Sequence, residues 1–483
     1  MDVSSKKPTT SRTAARAWSA RIGVWLVLAA LGASNRAYAQ ASTTRPPPRF
    51  EALARDILGE LIAIDSTRTH GSTAAARALA AGFAPADVTV VAPADHPDKA
   101  NVVLRLRGRT HDRPVLYIAH LDVVEARRDD WTFDPFQLTE RDGWLYGRGT
   151  IDMKGQDAAV LTTLIRLKEE GVVPARDIIA AFTADEEGGD ANGVAWLLKE
   201  HRALIEAALV VNPDGGEAGL KQGRKLYVAM QTSEKMYVTF TLETTDKGGH
   251  SSRPTADNPI YRLATGLERL AKLRFPVHLT ETTRLYFSRR AAIERGPLKS
   301  DMQAILRVPP DPAAVERLSA IVETNIQLRT TCTTTMIEGG HAENALPQRA
   351  RATVQCRVIP GESAVSVAAA ISAALADPTI AVSVQTPARP APDSPPAPAI
   401  LGMVEGVVRS MWPDVIVLPE MSPGATDSIY TRALGIPSYG IDGMFDDLDD
   451  GRAHGRDERI GVVAFAEELE FTYRLMRAIG DGQ

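Results

Sequence analysis

The sequence predicts an α/β protein: a mostly parallel sheet covered by helices, into which a ferredoxin-like α+β domain is inserted. Three observations predict it. Short apolar runs alternate with helix-like stretches up to about residue 220, the pattern of buried parallel strands joined by crossover helices. From about residue 225 the pattern changes to long alternating strands in the order strand-helix-strand-strand-helix-strand, the split βαβ arrangement. A Pro-rich connector, Pro387 to Pro398, then leads back to buried-strand runs in MWPDVIVLPEM and IPSYGIDG, so the second domain interrupts the first.

Taken in order, residues 1 to 21 are basic, Ile22 to Ala33 form a short apolar run, and Ala37-Tyr38-Ala39 is a small-x-small cleavage signal. The expectation is a secretory signal peptide over 1–39, cut after Ala39, and a periplasmic or secreted mature chain; the competing reading is an uncleaved anchor. No paired arginines precede the run, which points to the general secretory route. Cleavage removes six Lys/Arg and one Asp and moves the formal charge from −5 to −10, which argues against a nucleic-acid partner. No later stretch reaches bilayer length, so no membrane partner is expected after cleavage.

A leader from Ala41 to Pro48 precedes an amphipathic helix whose face carries Phe50, Leu53, Ile57, Leu58, Leu61 and Ile62. The catalytic domain is expected over 40–225 and 389–483, and the inserted domain over 226–388. Within the insert, KLYVAMQTSEKMYVTFTLETT alternates as strands, helices are predicted from Asn258 to Leu273 and from about Ser363 to Ala376, and TIAVSVQT closes the domain. The stretch from Leu285 to Pro312 fits neither pattern and stays unassigned. Cys332 and Cys356 lie in two strand-like segments equidistant from Asn344. A hairpin centred there supports either a cross-strand disulfide or two small buried hydrophobes, because a one-residue slip would separate the side chains.

Five segments carry acids or histidines, and at least four of them end or follow an apolar run: PVLYIAHLD, GRGTIDMKG, DIIAAFTADEEGG, ALVVNPDGG and IPSYGIDG…AHGRDE. Ligands of open α/β sheets bind beyond the carboxyl ends of the strands, so His120, Asp122, Asp152, Glu186, Glu187, Asp214 and His454 are candidates for one crevice. His120 and Asp122 point the same way on a strand, which lets Asp122 hold the imidazole's second nitrogen. Asp152 sits among three glycines on tight backbone. Glu186 and Glu187 point in different directions, so one can bind metal while the other takes a proton. Singly each motif also reads as a solvated turn or a surface pair. A converging set this large would carry a heavy desolvation and repulsion cost without metal.

These segments, with GGHSSRP, ENALP, RVIPG and GATDS, resemble in order and spacing the dizinc peptidase and deacylase family that holds aminoacylase, succinyl-diaminopimelate desuccinylase and the bacterial glutamate carboxypeptidase, peptidase family twenty. The resemblance covers nearly all of the mature chain. It implies two Zn2+ ions, or other divalent ions such as Co2+ or Mn2+. Asp152 would bridge them, Glu187 and His454 would complete one site, and His120 and Asp214 the other, Asp214 standing where several members carry the longer Glu. Glu186 would be the general base, Asp122 the partner of His120, and the bond between Asp152 and Met153 a cis peptide. His250 would reach across a homodimer, formed through the inserted lid, to the scissile carbonyl. Arg357 and Asn344 would hold a substrate carboxylate, although a structural salt bridge also fits Arg357. Gly424, Thr426 and Asp427 would line the same pocket, with backbone amides open to an anion.

The expected activity is zinc-dependent hydrolysis of a peptide or N-acyl amide bond next to a free carboxylate, by a carboxypeptidase, a dipeptidase or an N-acyl-amino-acid deacylase. Its substrate would be a small peptide or an N-acyl amino acid. The rivals are a two-metal phosphoesterase and a non-catalytic binding protein on an inherited peptidase fold. An intact Glu186 argues against the second.

Overall fold

The computed structural model describes residues 44–80, 83–385, 389 and 392–482. The signal segment 1–39 with its cleavage point lies outside the described residues. The chain forms two compact units: one runs to Leu209 and adds Gly406–Pro413 and the chain from Gly443, and the other holds Val210–Glu405 and Asp414–Asp442.

Unit one opens with α1 (Pro48–Ala63), which has proline in its first turn and buries Phe50, Ile57, Leu58, Leu61 and Ile62. Strands β1 (Val88–Val91), β2 (Asn101–Leu106), β3 (Thr110–His120) and β4 (Arg176–Thr183) follow, with α2 (Lys154–Glu169) between β3 and β4. β4 pairs parallel with β3 and antiparallel with β2, which in turn pairs antiparallel with β1. Val115 to Ala119 of β3 and Ile178 to Phe182 of β4 are buried on both faces, which explains why these strands read as unbroken apolar runs. α2 is buried on almost every side because it packs against α1, β3 and the terminal helix Val462–Asp481. Buried Lys154 at its start donates from Nζ to the carbonyls of Leu61 (2.9 Å) and Ile64 (2.8 Å), supplying α1 with donors at its C-terminal end.

Unit two carries β5 (Leu209–Asn212, from Val210 on), β6 (Ala218–Lys221) and β7 (Arg224–Glu234). The later strands Ser438–Ile441 and Ile416–Ser422 pair parallel with β5 and β7 respectively, and β6 pairs antiparallel with β7. The parallel character expected from the sequence thus holds for the strands that lead to the acidic segments, and the antiparallel pairs involve β1, β2 and β6 among others.

The same unit contains β8 (Met236–Thr245), β9 (Gly249–His250), α3 (Pro259–Leu270), β10 (Thr331–Gly339), β11 (Ala345–Leu346), β12 (Arg349–Val358), α4 (Ala364–Leu375) and β13 (Ala381–Val384). Four of these strands form an antiparallel sheet in the order β10-β12-β8-β13, which with α3 and α4 is the ferredoxin-like arrangement. Every second residue of β8 and β12, Val238, Phe240, Leu242, Val354, Cys356 and Val358 among them, faces Leu263, Val367, Ile371 and Leu375 of the helices. The opposite face is left to polar side chains, Arg357 included. Cys332 pairs directly with Cys356, and the two form a disulfide with their Cα atoms 4.1 Å apart.

The unassigned stretch is helical, lying in the helices Glu281–Ile293, Gly296–Ala304 and Pro312–Ser319. Tyr286, Phe287, Met302, Ile305 and Leu318 cluster against Ala229 and Leu418 of the larger sheet. Among the described residues no helix is long and apolar enough to cross a membrane.

Candidate metal centre

In unit one, four ligand-type side chains meet, one at the end of β3 and three on loops. His120 is the last residue of β3 and is 2 % exposed. Its Nε2 lies 3.0 Å from Asp152 Oδ1. His454 Nε2 lies 2.9 Å from Asp152 Oδ2 and 3.0 Å from Glu187 Oε1. Ligand atoms of His120, Asp152 and Glu187 all fall within 4.8 Å of one another. Asp152 therefore offers one oxygen to each imidazole, and its peptide bond to Met153 is cis.

Electrostatically the cluster is built for positive charge. Burial pushes the Asp152 carboxyl upward, but hydrogen bonds from His120 and His454 outweigh it and hold the group well below the usual carboxylate range. Burial raises Glu187, only partly offset by its bond to His454. His454 is pushed up to about 10, first by its hydrogen bond to Asp152 and then by that to Glu187, against the opposing effect of burial. Two imidazoles facing two carboxylates are a nitrogen and oxygen donor set suited to zinc. Their spacing is close to the roughly 3.3 Å edge of a tetrahedron with ligands about 2.05 Å from its centre.

Non-ligand residues fix these side chains. Asp122 is buried, but its role differs from the one its spacing suggests. The Nδ1 of His120 sits 3.0 Å from the main-chain carbonyl of Asp122 and 3.9 Å from its carboxylate. The carboxylate accepts the backbone N–H groups of Glu186 (3.1 Å) and Glu187 (2.9 Å) instead. It aims the acidic turn, and its own carbonyl selects the tautomer of His120.

Glu458 was not singled out from the sequence. It is fully buried and accepts the amides of Gly149 (3.1 Å), Ile151 (2.7 Å) and Asp152 (3.1 Å), while pairing with buried Arg148. Arg148 in turn donates to the Gly455 carbonyl at 3.0 Å, beside His454. The only sequence trace of this arrangement is that both residues stand inside the quoted motifs. His454 itself adopts φ +62, an uncommon conformation for a non-glycine residue.

The other candidates lie in unit two. Asp214 occupies the single turn Pro213–Gly215 directly after β5. His250 of β9 pairs with Ala345 of β11 and is exposed; its Nδ1 accepts from the Ser252 amide (3.1 Å) and lies 2.8 Å from the Ser252 hydroxyl. A backbone donor on Nδ1 leaves the proton of the neutral ring on Nε2. Asn344, also exposed, accepts the Ser251 amide at 3.0 Å, so this short hairpin brings it beside His250.

Arg357 lies opposite Tyr237 with its guanidinium 4.8 Å from the ring centroid. Burial lowers its pKa, and no described carboxylate forms an ion pair with it, which removes the salt-bridge alternative. The expectation of open amides at Gly424 and Thr426 does not hold. Gly424 N donates to Ser422 Oγ (3.0 Å), and Thr426 N and Oγ1 donate to buried Glu234 at 2.9 and 3.1 Å.

Residues 116–478 match the sequence profile of peptidase family M20/M25/M40. The chain is 29 % identical over 375 residues to the N-fatty-acyl-amino acid synthase/hydrolase PM20D1 of Homo sapiens, covering 76 % of this chain and 74 % of the relative. It is 27 % identical over 378 residues to a probable carboxypeptidase S-like 2 of Dictyostelium discoideum, covering 76 % and 71 %. The fold matches that of an M20 family metallo-carboxypeptidase, Sso-CP2 from Sulfolobus solfataricus, with a TM-score of 0.65 at 17 % identity over 88 % of this chain and 99 % of the other.

Proposed function

Because the chain belongs to peptidase family M20/M25/M40, we propose that it uses two zinc ions to hydrolyse a peptide or N-acyl amide bond adjacent to a free carboxylate. The observation that carries the reading is the meeting of buried His120 with the partly exposed Asp152 and Glu187 and the exposed His454 at separations near 3 Å. His120, Asp152, Glu187, His454 and Asp214 would hold the ions. Metal held there supplies Lewis acidity and makes water a stronger acid.

The remaining steps belong to this chain's own side chains. Glu186, aimed by the Asp122 carboxylate through its amide, takes the proton of the attacking water and returns it to the departing amine. His250, with its proton on Nε2, donates to the carbonyl oxygen as charge develops on it. Arg357 and Asn344 receive the substrate carboxylate. An arginine fork desolvated without a counter-ion suits that task, since the substrate supplies the missing charge. The loop carrying Gly424 and Thr426 shapes the same end of the substrate, and Glu234 holds it in place.

The names of the relatives favour small peptides and N-acyl amino acids as substrates. The edge strand β10, with Met336 68 % and Ile337 64 % exposed, supports a homodimer through the inserted domain. The basic and apolar N-terminus supports export after cleavage at Ala39, and the division into 40–225, 226–388 and 389–483 remains our reading of the domains.

The test is amine release by the mature protein from dipeptides and N-acyl amino acids, with and without added zinc, beside the Glu186→Gln and Asp152→Asn variants. Zinc-dependent release is expected. Glu186→Gln should keep both metals and lose most turnover, whereas Asp152→Asn should lose metal and turnover together. Two metals bound with no release from any substrate would overturn the proposal in favour of a phosphoesterase or a binding protein.

A further inference from the structure

We infer that Lys99 and Asp185 form a buried ion pair that positions the Glu186–Glu187 turn, which makes both of them positioning residues for the base. The inference rests on the reading of Glu186 as that base. Asp185 immediately precedes Glu186 and holds φ +57, a region that non-glycine residues seldom occupy unless their surroundings impose it. Its carboxylate is engaged on both oxygens: Oδ1 lies 2.6 Å from Lys99 Nζ, and Oδ2 accepts the Ala191 amide at 3.2 Å. The paired side chains are only 6 % and 4 % exposed. Asn192 Nδ2 donates to the Asp185 carbonyl at 3.3 Å. The segment from 185 to 192 is therefore wrapped around one carboxylate, so closely that a Cβ on Gly189 would stand 2.0 Å from Oδ2.

Lys99 is itself fixed, since its Nζ also donates to the Arg68 carbonyl at 3.0 Å. Two residues on, buried Asn101 accepts the Ala184 amide at 3.0 Å. The chain at the start of β2 thus grips the turn from the side before Glu186. On the other side the Asp122 carboxylate grips the amides of Glu186 and Glu187.

With the backbone held on both sides, the carboxylate of Glu186 has little freedom beyond its own side-chain torsions. Such placement matters because displacing a catalytic group by about 1 Å can cost about a hundredfold in rate. Stability alone is a weak reason for the pair, since a buried lysine–carboxylate pair usually gives little net gain over apolar residues of the same volume. Asp185 is not among the clustered ligand groups, so its charge serves the turn.

The test compares Lys99→Met, Asp185→Asn and the double variant in the metal-loaded protein. Three readouts are taken: kcat and KM separately, bound metal, and amide hydrogen exchange over 184–192. Lys99→Met should lower kcat about ten- to a hundredfold, with KM within twofold and metal content unchanged. Exchange over 184–192 should quicken while the rest of unit one stays as it was. The double variant should lose no more than Lys99→Met, because the two residues act as one unit. Unchanged kcat with a lower unfolding midpoint would mean a merely structural pair and overturn the inference. So would loss of metal in proportion to kcat, which would place the effect on Glu187. If the unmodified protein hydrolyses no amide, the functional reading fails on its own; the pair is then judged by exchange over 184–192, and an unchanged pattern overturns it.

Discussion

Reducing the Cys332–Cys356 disulfide, with both residues left in place, should loosen the inserted domain by an amount set by the loop that the bond closes. The bridged residues are 24 apart. The chain-entropy relation gives about 3.5 kcal/mol at 25 °C for a loop of that size. Comparing oxidised with reduced wild type isolates this quantity. A Cys356→Ala variant would add a cavity penalty, because Cys356 is fully buried among Val238, Val354 and Val358. The bond also joins an edge strand to the sheet: beyond Cys332, β10 is exposed from Thr333 to Gly339 and, among the described residues, pairs only with β12. Native-state amide exchange at buried positions of β8 and β12 measures the opening free energy directly. At 1.4 kcal/mol per tenfold, those amides should exchange about 300-fold faster in the reduced protein. An acceleration of less than about fivefold, with both thiols shown free by mass spectrometry, would refute the argument that loop closure stabilises this domain.

Three further outcomes follow from single side chains. Glu458→Ala strands the buried Arg148 guanidinium and the amides of Gly149, Ile151 and Asp152; urea denaturation should show a loss of about 3–5 kcal/mol, and metal content should fall as Asp152 loosens. Lys235 is 1 % exposed, and burial lowers it to about 7, so the unfolded chain holds its proton more tightly than the fold does. Stability should therefore rise as pH increases from about 7 towards the unfolded value near 10.4, and Lys235→Met should flatten that rise; an equal slope in both proteins would refute the assignment. The carbonyl of Arg329, which Lys235 Nζ contacts at 2.6 Å, loses its partner in the variant at every pH, so that cost shifts the whole curve and leaves its slope alone. Arg357→Lys should raise KM at least tenfold with kcat within threefold for substrates with a free carboxylate, and should change neither for the same substrates amidated at that end.

His120 and Glu187 stood out as candidates because each ends or closely follows a buried strand that reads as a plain apolar run, as Val115 to Ala119 does before His120, whereas Asp152 and His454 stand on loops that no such run announces. The ferredoxin-like insert was legible for a similar reason: alternation along β8 and β12 reports one face against helices. The pairing of the cysteines shows how narrowly such reasoning succeeds. At Cys332 the register is that of a hairpin centred on Asn344, but a bulge between Thr334 and Met336 shifts it by one residue nearer the turn, so the same symmetry applied to Ile337 or Glu338 picks the wrong partner. The helices from Glu281 to Ser319 were missed because they share their apolar surface among themselves and the sheet, which blurs any single stripe.

What remained hidden are bonds between side chains and backbone. The spacing of His120 and Asp122 puts two side chains on one face of a strand, yet it cannot say that the imidazole meets the carbonyl while the carboxylate turns to the amides of residues 186 and 187. In the same way Glu458 is bound to three amides that no motif records, and Lys99 lies 86 positions before the aspartate that it pairs with. Sequence therefore offers candidate ligands, because metal chemistry restricts the residue type. Whatever aims them is chosen by where backbone N–H groups lie after folding, as the amides of residues 149, 151, 152, 186 and 187 do here.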